Sequence, residues 1–301
     1  MSKEQENKIE REENWDVPPS DEEYTLEEIL AEYGSSRQQK ILEEVEREAE
    51  PETVSEPALP AEPAAPAAEE PPAAEPKPAR MLWARRMAHA ESAREAELPE
   101  EPRYVALTFD DGPRRGTTAR LLDGLRERGA SATFFLVGER LAGNEDLVLR
   151  MQAEGHQVGT HTWSHIRLDG TAPAAQLRDI QAAQNAVCKL LDTDSCWLRP
   201  PYGLIDPAVR GGVTVPMVHW SVDPRDWESR DTAMVVRSVL KDVQPGDIIL
   251  LHDIYPSSVE AALQIVDALE AEGYWFVTVE ELLELNGIQP KAGAMYRSGR
   301  V

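Results

Sequence analysis

Tyr104-Val105-Ala106-Leu107-Thr108-Phe109-Asp110-Asp111-Gly112-Pro113 is a run of strand-forming residues that ends in two carboxylates and a turn. A short run of this kind, closed by Gly and Pro, reads as a strand buried on both faces, as in a parallel sheet. Adjacent carboxylates directly after such a strand are costly unless a cation or a proton occupies the site. Asp, Gly and Pro also favour turns, so these ten residues alone leave a plain turn and a charged site both open.

Working outward, the same alternation repeats down the chain. Helical pattern over 117–128 leads to a second strand at Thr133-Phe134-Phe135-Leu136-Val137. A helix near 146–154 leads to a third, Gln157-Val158-Gly159. A long helix over 172–191 precedes Trp197-Leu198-Arg199. Further strands are expected over 215–222, 248–251 and 275–279, separated by helices near 232–243 and 258–272. Strands alternating with helices of 10–15 residues predict an α/β domain with a parallel sheet. About seven such units suggest closure into a distorted (β/α) barrel, whose chemistry would sit where strands end.

Polar residues recur at those ends. The third strand runs into His161-Thr162-Trp163-Ser164-His165. Two histidines at i and i+4 can face one ion if the segment is a helical turn, and a strand-end carboxylate completes a set suited to zinc. Arg199-Pro200-Pro201-Tyr202-Gly203 follows the fourth strand and Asp223-Pro224-Arg225-Asp226-Trp227 the fifth. The sixth, Ile248-Ile249-Leu250-Leu251, runs into His252. An isolated histidine after a strand is usually structural, and His156 and His219 are read so. One beside this many charged strand ends reads as functional.

Taken together, the blocks from about Tyr104 to Gly287 resemble the five motifs of the polysaccharide deacetylases, carbohydrate esterase family four, in the family's order. The resemblance implies a metal-dependent hydrolase that removes N-acetyl groups from an amino-sugar polysaccharide, peptidoglycan or a chitin-like polymer. It implies Asp111, His161 and His165 as metal ligands, with zinc the first choice and cobalt, nickel or manganese as alternatives. It further implies Asp110 as general base, His252 as general acid, Asp226 as the carboxylate that orients His252, and Arg199 as the holder of Asp110. The backbone N–H of Tyr202 would be the oxyanion donor, and Trp227 and Leu250 would wall the acetyl pocket. Thr160 departs from the family, which has Asn before the first metal histidine. The motifs leave open an O-acetyl esterase acting on a glycan such as xylan. A non-catalytic glycan-binding module is the remaining, different class.

The chain outside those motifs differs in kind. Residues 1–100 carry 27 acidic and 11 basic side chains, a net of −16, against −8 for the remaining 201 residues. Such acidity argues against nucleic acid as a partner. Residues 51–80 hold nine prolines and nine alanines, a composition that cannot offset its ordering entropy and reads as a linker. The expected organisation is therefore a disordered acidic Pro/Ala-rich extension over 1–100, a catalytic domain over 101–290 and a tail over 291–301. Leu26, Ile29, Leu30 and Tyr33 form one short helical candidate near 25–33, either transient or a docking helix for a protein partner. A basic-apolar patch spans 80–90. No apolar run of membrane-spanning length and no signal peptide is visible, so the expected location is cytoplasmic. A wall polymer as substrate would then require export by a partner or an upstream segment. Cys188 and Cys196, eight apart, are too few for a disulfide scaffold and lack zinc-ribbon spacing. They read as ordinary thiols, with an oxidised pair as the alternative.

Overall fold

The computed structural model describes residues 103–300. The helix near 25–33, the linker at 51–80 and the patch at 80–90 lie outside the described residues.

The opening stretch forms β1, Arg103–Asp110, the centre of a five-stranded sheet. Its side chains alternate between two buried environments. Val105, Leu107 and Phe109 face a large core shared with helices, whereas Ala106 joins a smaller core on the opposite face with Phe135, Val218 and Ile248. Burial on both faces is what a central parallel strand requires. β2 (Thr133–Leu136) pairs parallel to one side of β1, and β3 (Gln157–Thr160) pairs parallel to β2. β5 (Ile248–His252) pairs parallel on the other side, with Asp110 opposite His252. β6 (Tyr274–Phe276) pairs with the first residues of β1. A second, two-stranded sheet joins β4 (Met217–Val218) to β7 (Met295–Tyr296).

The helices cover the large core. α1 (Arg115–Arg128) buries Leu121, Leu122 and Leu125 and stops at Gly129, whose φ of 64° makes a left-handed cap. α2 spans Glu145–Ala153, and α3, Pro173–Leu191, starts on a proline at its first turn. Short helices α4 (Pro207–Arg210) and α5 (Asp226–Ser229) precede α6 (Thr232–Asp242). α7 (Pro256–Ala271) packs Val259, Ala262, Val266 and Leu269 inward at helical spacing. No helix among the described residues is long and apolar enough to cross a membrane.

Several sequence expectations are corrected. The strand expected over 215–222 is broken: only Met217–Val218 form ladder, and Val222 makes a single bridge to Ile249. Pro216 has no N–H to give, and the His219 carbonyl is taken by the Arg199 guanidinium at 2.9 Å. Trp197–Arg199 likewise shrinks to bridges from Leu198 to Thr160 and to Met217, since Pro200 and Pro201 follow without donors. The strand expected over 275–279 ends at Phe276, because Thr278 and Glu281 form a capping box that starts α8 (Val279–Leu285). Within the tail expected over 291–301, β7 pairs with β4, and Arg300 reaches Asp247 at 2.6 Å.

Candidate active site

The parallel strands β1, β2, β3 and β5 all end at one edge of the sheet, so residues distant in sequence meet there. Asp110 is the last residue of β1, 3% exposed, on the same face as Thr108 and Ala106. Its Oδ1 accepts from the Arg199 guanidinium at 2.8 Å. Arg199 is fully buried. It also donates to Thr108 Oγ1 at 2.8 Å and to the His219 carbonyl at 2.9 Å, and its guanidinium lies 4.2 Å from the Phe135 ring centroid. Burial pushes the Asp110 carboxyl up, but Arg199, His161 and His252 outweigh it and hold the group below the usual carboxylate range.

Asp111 turns the chain away from the sheet with a φ of 72°. Its Oδ1 is buried and accepts no hydrogen bond among the described residues. That oxygen lies 3.8 Å from His161 Nε2 and 3.3 Å from His165 Nε2. The three ligand atoms fall within 4.8 Å of one another. His161 Nδ1 is 2.7 Å from the Arg199 carbonyl, which sets Nδ1–H as donor and leaves the Nε2 lone pair facing Asp111. An orphaned carboxylate oxygen beside two imidazole Nε2 atoms is a donor set that fits a divalent cation. The His161–His165 segment is not a helical turn. Thr162 and His165 adopt φ of 65° and 53° in an irregular turn, and Asp179 of α3 anchors it by accepting from the N–H of Trp163 at 2.7 Å and the hydroxyl of Ser164 at 2.6 Å.

On the other side of Asp110, β5 delivers His252. Its Nδ1 pairs with Asp226 Oδ1 at 2.8 Å, and its backbone N–H donates to Asp226 Oδ2 at 2.8 Å. Asp226 is fully buried at the start of α5. Burial opposes a charged ring, yet the Asp226 hydrogen bond and charge, with help from Asp110 and Asp111, push His252 up to about 9. Leu250 lies two residues earlier, opposite Thr108 in register and buried. Trp227 and Tyr202 are exposed by 48% and 55%.

The chain itself matches the family described as polysaccharide deacetylase over residues 97–214. It is 36% identical over 195 residues to a peptidoglycan-N-acetylglucosamine deacetylase of Bacillus cereus, covering 62% of this chain and 91% of that protein.

The chain belongs to the polysaccharide deacetylase family.

It is also 36% identical over 192 residues to a peptidoglycan-N-acetylmuramic acid deacetylase of Bacillus subtilis, covering 64% of this chain but spanning only 41% of that relative's length. A family 4 acetyl xylan esterase from Clostridium thermocellum, solved in complex with a cobalt ion, superimposes with a TM-score of 0.61 at 34% identity over 65% of this chain and 98% of that one.

For this polysaccharide deacetylase family member, the structure gathers Asp110, Asp111, His161, His165, Arg199, Asp226 and His252 at one edge. Tyr202 comes to the same place through the Pro201–Gly203 turn, where its φ is 61° and its hydroxyl lies 3.5 Å from His165 Nδ1. Gly203 follows at φ +68°, and a Cβ there would lie 2.4 Å from His219 Nε2, so the turn is packed as well as bent. His156 is structural as expected: its Nδ1 accepts from the Ala132 N–H at 3.1 Å beneath Phe134. Thr160, the departure from the family pattern, is buried and donates its N–H to the Trp197 carbonyl at 2.8 Å. His219, also read as structural, gives its carbonyl to Arg199, and two supports, Thr108 and Asp179, escaped the sequence reading. Thr108 carries one signal, a hydroxyl at an inward position of an apolar strand. Asp179 has no local signature.

Proposed function

We propose that this chain hydrolyses N-acetyl groups on N-acetylglucosamine units of a polysaccharide, peptidoglycan or a chitin-like polymer, with zinc as the native ion. The observation that carries this reading is the pairing, at one sheet edge, of a buried ionised Asp110 with a His252 held protonated by Asp226. Two groups whose surroundings drive their protonation apart are what acid–base cleavage of an amide needs.

When bound by Asp111, His161 and His165, a divalent cation supplies Lewis-acid polarisation of the acetyl carbonyl. Asp110 keeps one oxygen on Arg199 and turns the other towards His161, with Oδ2 3.6 Å from Nε2. That free oxygen takes the proton from the attacking water. The Tyr202 N–H donates to the oxyanion that develops. His252 Nδ1 is committed to Asp226, so Nε2–H faces the leaving amine and protonates it. Leu250 and Trp227 line the space for the acetyl methyl. We read the sheet as a distorted (β/α) barrel. Support comes from the single bridges Thr160 to Leu198, Leu198 to Met217 and Val222 to Ile249, which link β3 around to β5.

The likeness to an acetyl xylan esterase favours O-deacetylation as the second reading, since ester and amide hydrolysis can use the same residues. Acetate release from peptidoglycan, chitohexaose and acetylated xylan, each with and without a chelator, tests both. Chelator-sensitive release from chitohexaose or peptidoglycan is expected. Release from xylan alone would favour the esterase, and none from any substrate would overturn both readings.

A further inference from the structure

Cys188 lies in the last turns of α3 and is half-buried; Cys196 is buried just ahead of Trp197–Arg199. Both are free, and their Sγ atoms lie 3.4 Å apart. The backbone brings them together. Asp192 reverses the chain at φ 48°, and the Cys188 carbonyl accepts from the N–H groups of both Asp192 and Thr193. Gln184, one turn earlier on α3, reaches the Cys196 carbonyl at 3.5 Å.

We propose that Cys188 and Cys196 are a reversible disulfide site that joins the end of α3 to the segment carrying Arg199. The two elements so joined are both supports of the site. α3 supplies Asp179, which anchors the turn between His161 and His165, and the segment after Cys196 supplies Arg199 and the carbonyl that His161 meets.

The chemistry needs a small disulfide such as oxidised glutathione. The Cys188 thiolate attacks one sulfur of that reagent, breaks its S–S bond, releases one thiolate and leaves a mixed disulfide on Cys188. Cys196 then gives up its proton, and its sulfur attacks the Cys188 sulfur and expels the second glutathione as a thiolate. Two cysteine thiols are oxidised to one disulfide, and the reagent is reduced to two thiols. Burial, and then the neighbouring Cys188, push the Cys196 thiol up, which assigns the first attack to Cys188. The contact between the two sulfurs makes the second attack intramolecular.

The full chain is equilibrated across glutathione buffers from reduced to oxidised, acid-quenched, alkylated under denaturing conditions and weighed intact. The expected result is loss of both alkylations together, a product two hydrogens lighter, and reversal by dithiothreitol. The oxidised form should melt about 5 °C above the reduced one, the scale for a short closed loop in a domain of this size. Cys196→Ser should instead retain one glutathione on Cys188. Parent chains that keep both thiols in oxidised buffer, or that accumulate glutathione on Cys188 while Cys196 stays alkylatable, would overturn the proposal. None of these readouts involves acetate release, so this proposal and the deacetylase reading can fail separately.

Discussion

Asp226→Asn removes a charge while leaving the shape and the acceptor for the His252 backbone N–H in place. In the parent, burial works against a charged His252, and the hydrogen bond and charge of Asp226 lead the groups that overcome it, for a result of about 9 against an ordinary 6.5. Asp110 and Asp111 contribute less, and a cation at Asp111 would offset part of their pull. Without Asp226 the histidine should fall to about 6.5 or below, because burial remains. At pH 8 the protonated fraction then drops from about 0.9 to about 0.03, so turnover should fall about 30-fold. At pH 6 the same arithmetic gives a loss of less than about twofold. Initial rates of acetate release from saturating chitohexaose, measured from pH 5.5 to 10 in both proteins, make the comparison. An upper limb that stays near 9 in the variant would refute the assignment of that limb to the Asp226–His252 pair, as would a uniform loss at every pH. Stability gives a second check. The folded pKa is raised, so the contribution is fully present below about 6.5 and is lost as pH rises through about 9. Over that window the parent should lose on the order of 3 kcal/mol of unfolding free energy from this group, a slope the variant should lack.

Asp110→Asn should lower turnover about a hundredfold or more, with metal content unchanged by elemental analysis, because Asp111 and not Asp110 completes the His161–His165 set. In the parent the acidic limb of the rate profile should lie below the usual carboxylate range, since Arg199, His161 and His252 overcome burial at Asp110, and the variant should lose that limb. His161→Ala should strip the bound metal, and undiminished metal content would remove the ligand assignment. Gly203→Ala must place a methyl 2.4 Å from His219 Nε2 at a φ of +68°, so the Tyr202 peptide should shift. Turnover should fall up to roughly a hundredfold with metal retained if its N–H is the oxyanion donor. A chain ending at residue 290 should lose about 3 kcal/mol or more by denaturant titration, because Met217 and His219 lose their bonds to the Ala294 and Tyr296 carbonyls and Asp247 loses Arg300.

What the sequence made legible was whatever depends on near neighbours along the chain. The two-sided burial of Val105–Phe109 and the inward stripe of Leu121, Leu122 and Leu125 follow from periodicity, and the charged residues at strand ends announce one edge. The failures share a cause: geometry imposed from far away. Thr162 and His165 take positive φ on either side of Trp163 and Ser164, which Asp179, fourteen or more residues along, holds from α3, so an i, i+4 spacing that would suit a helix converges by another route. Residues 215–222 carry a strand's composition, but the Arg199 guanidinium claims the His219 carbonyl, and the ladder breaks there. A buried guanidinium without partners would cost more than one interrupted strand, so the sheet yields to the arginine. That trade fixes Asp110 in place. The same bond that spoils the strand pattern holds Arg199 where it can pin one oxygen of the Asp110 carboxylate, so the least strand-like stretch of the sheet is explained by the site it supports.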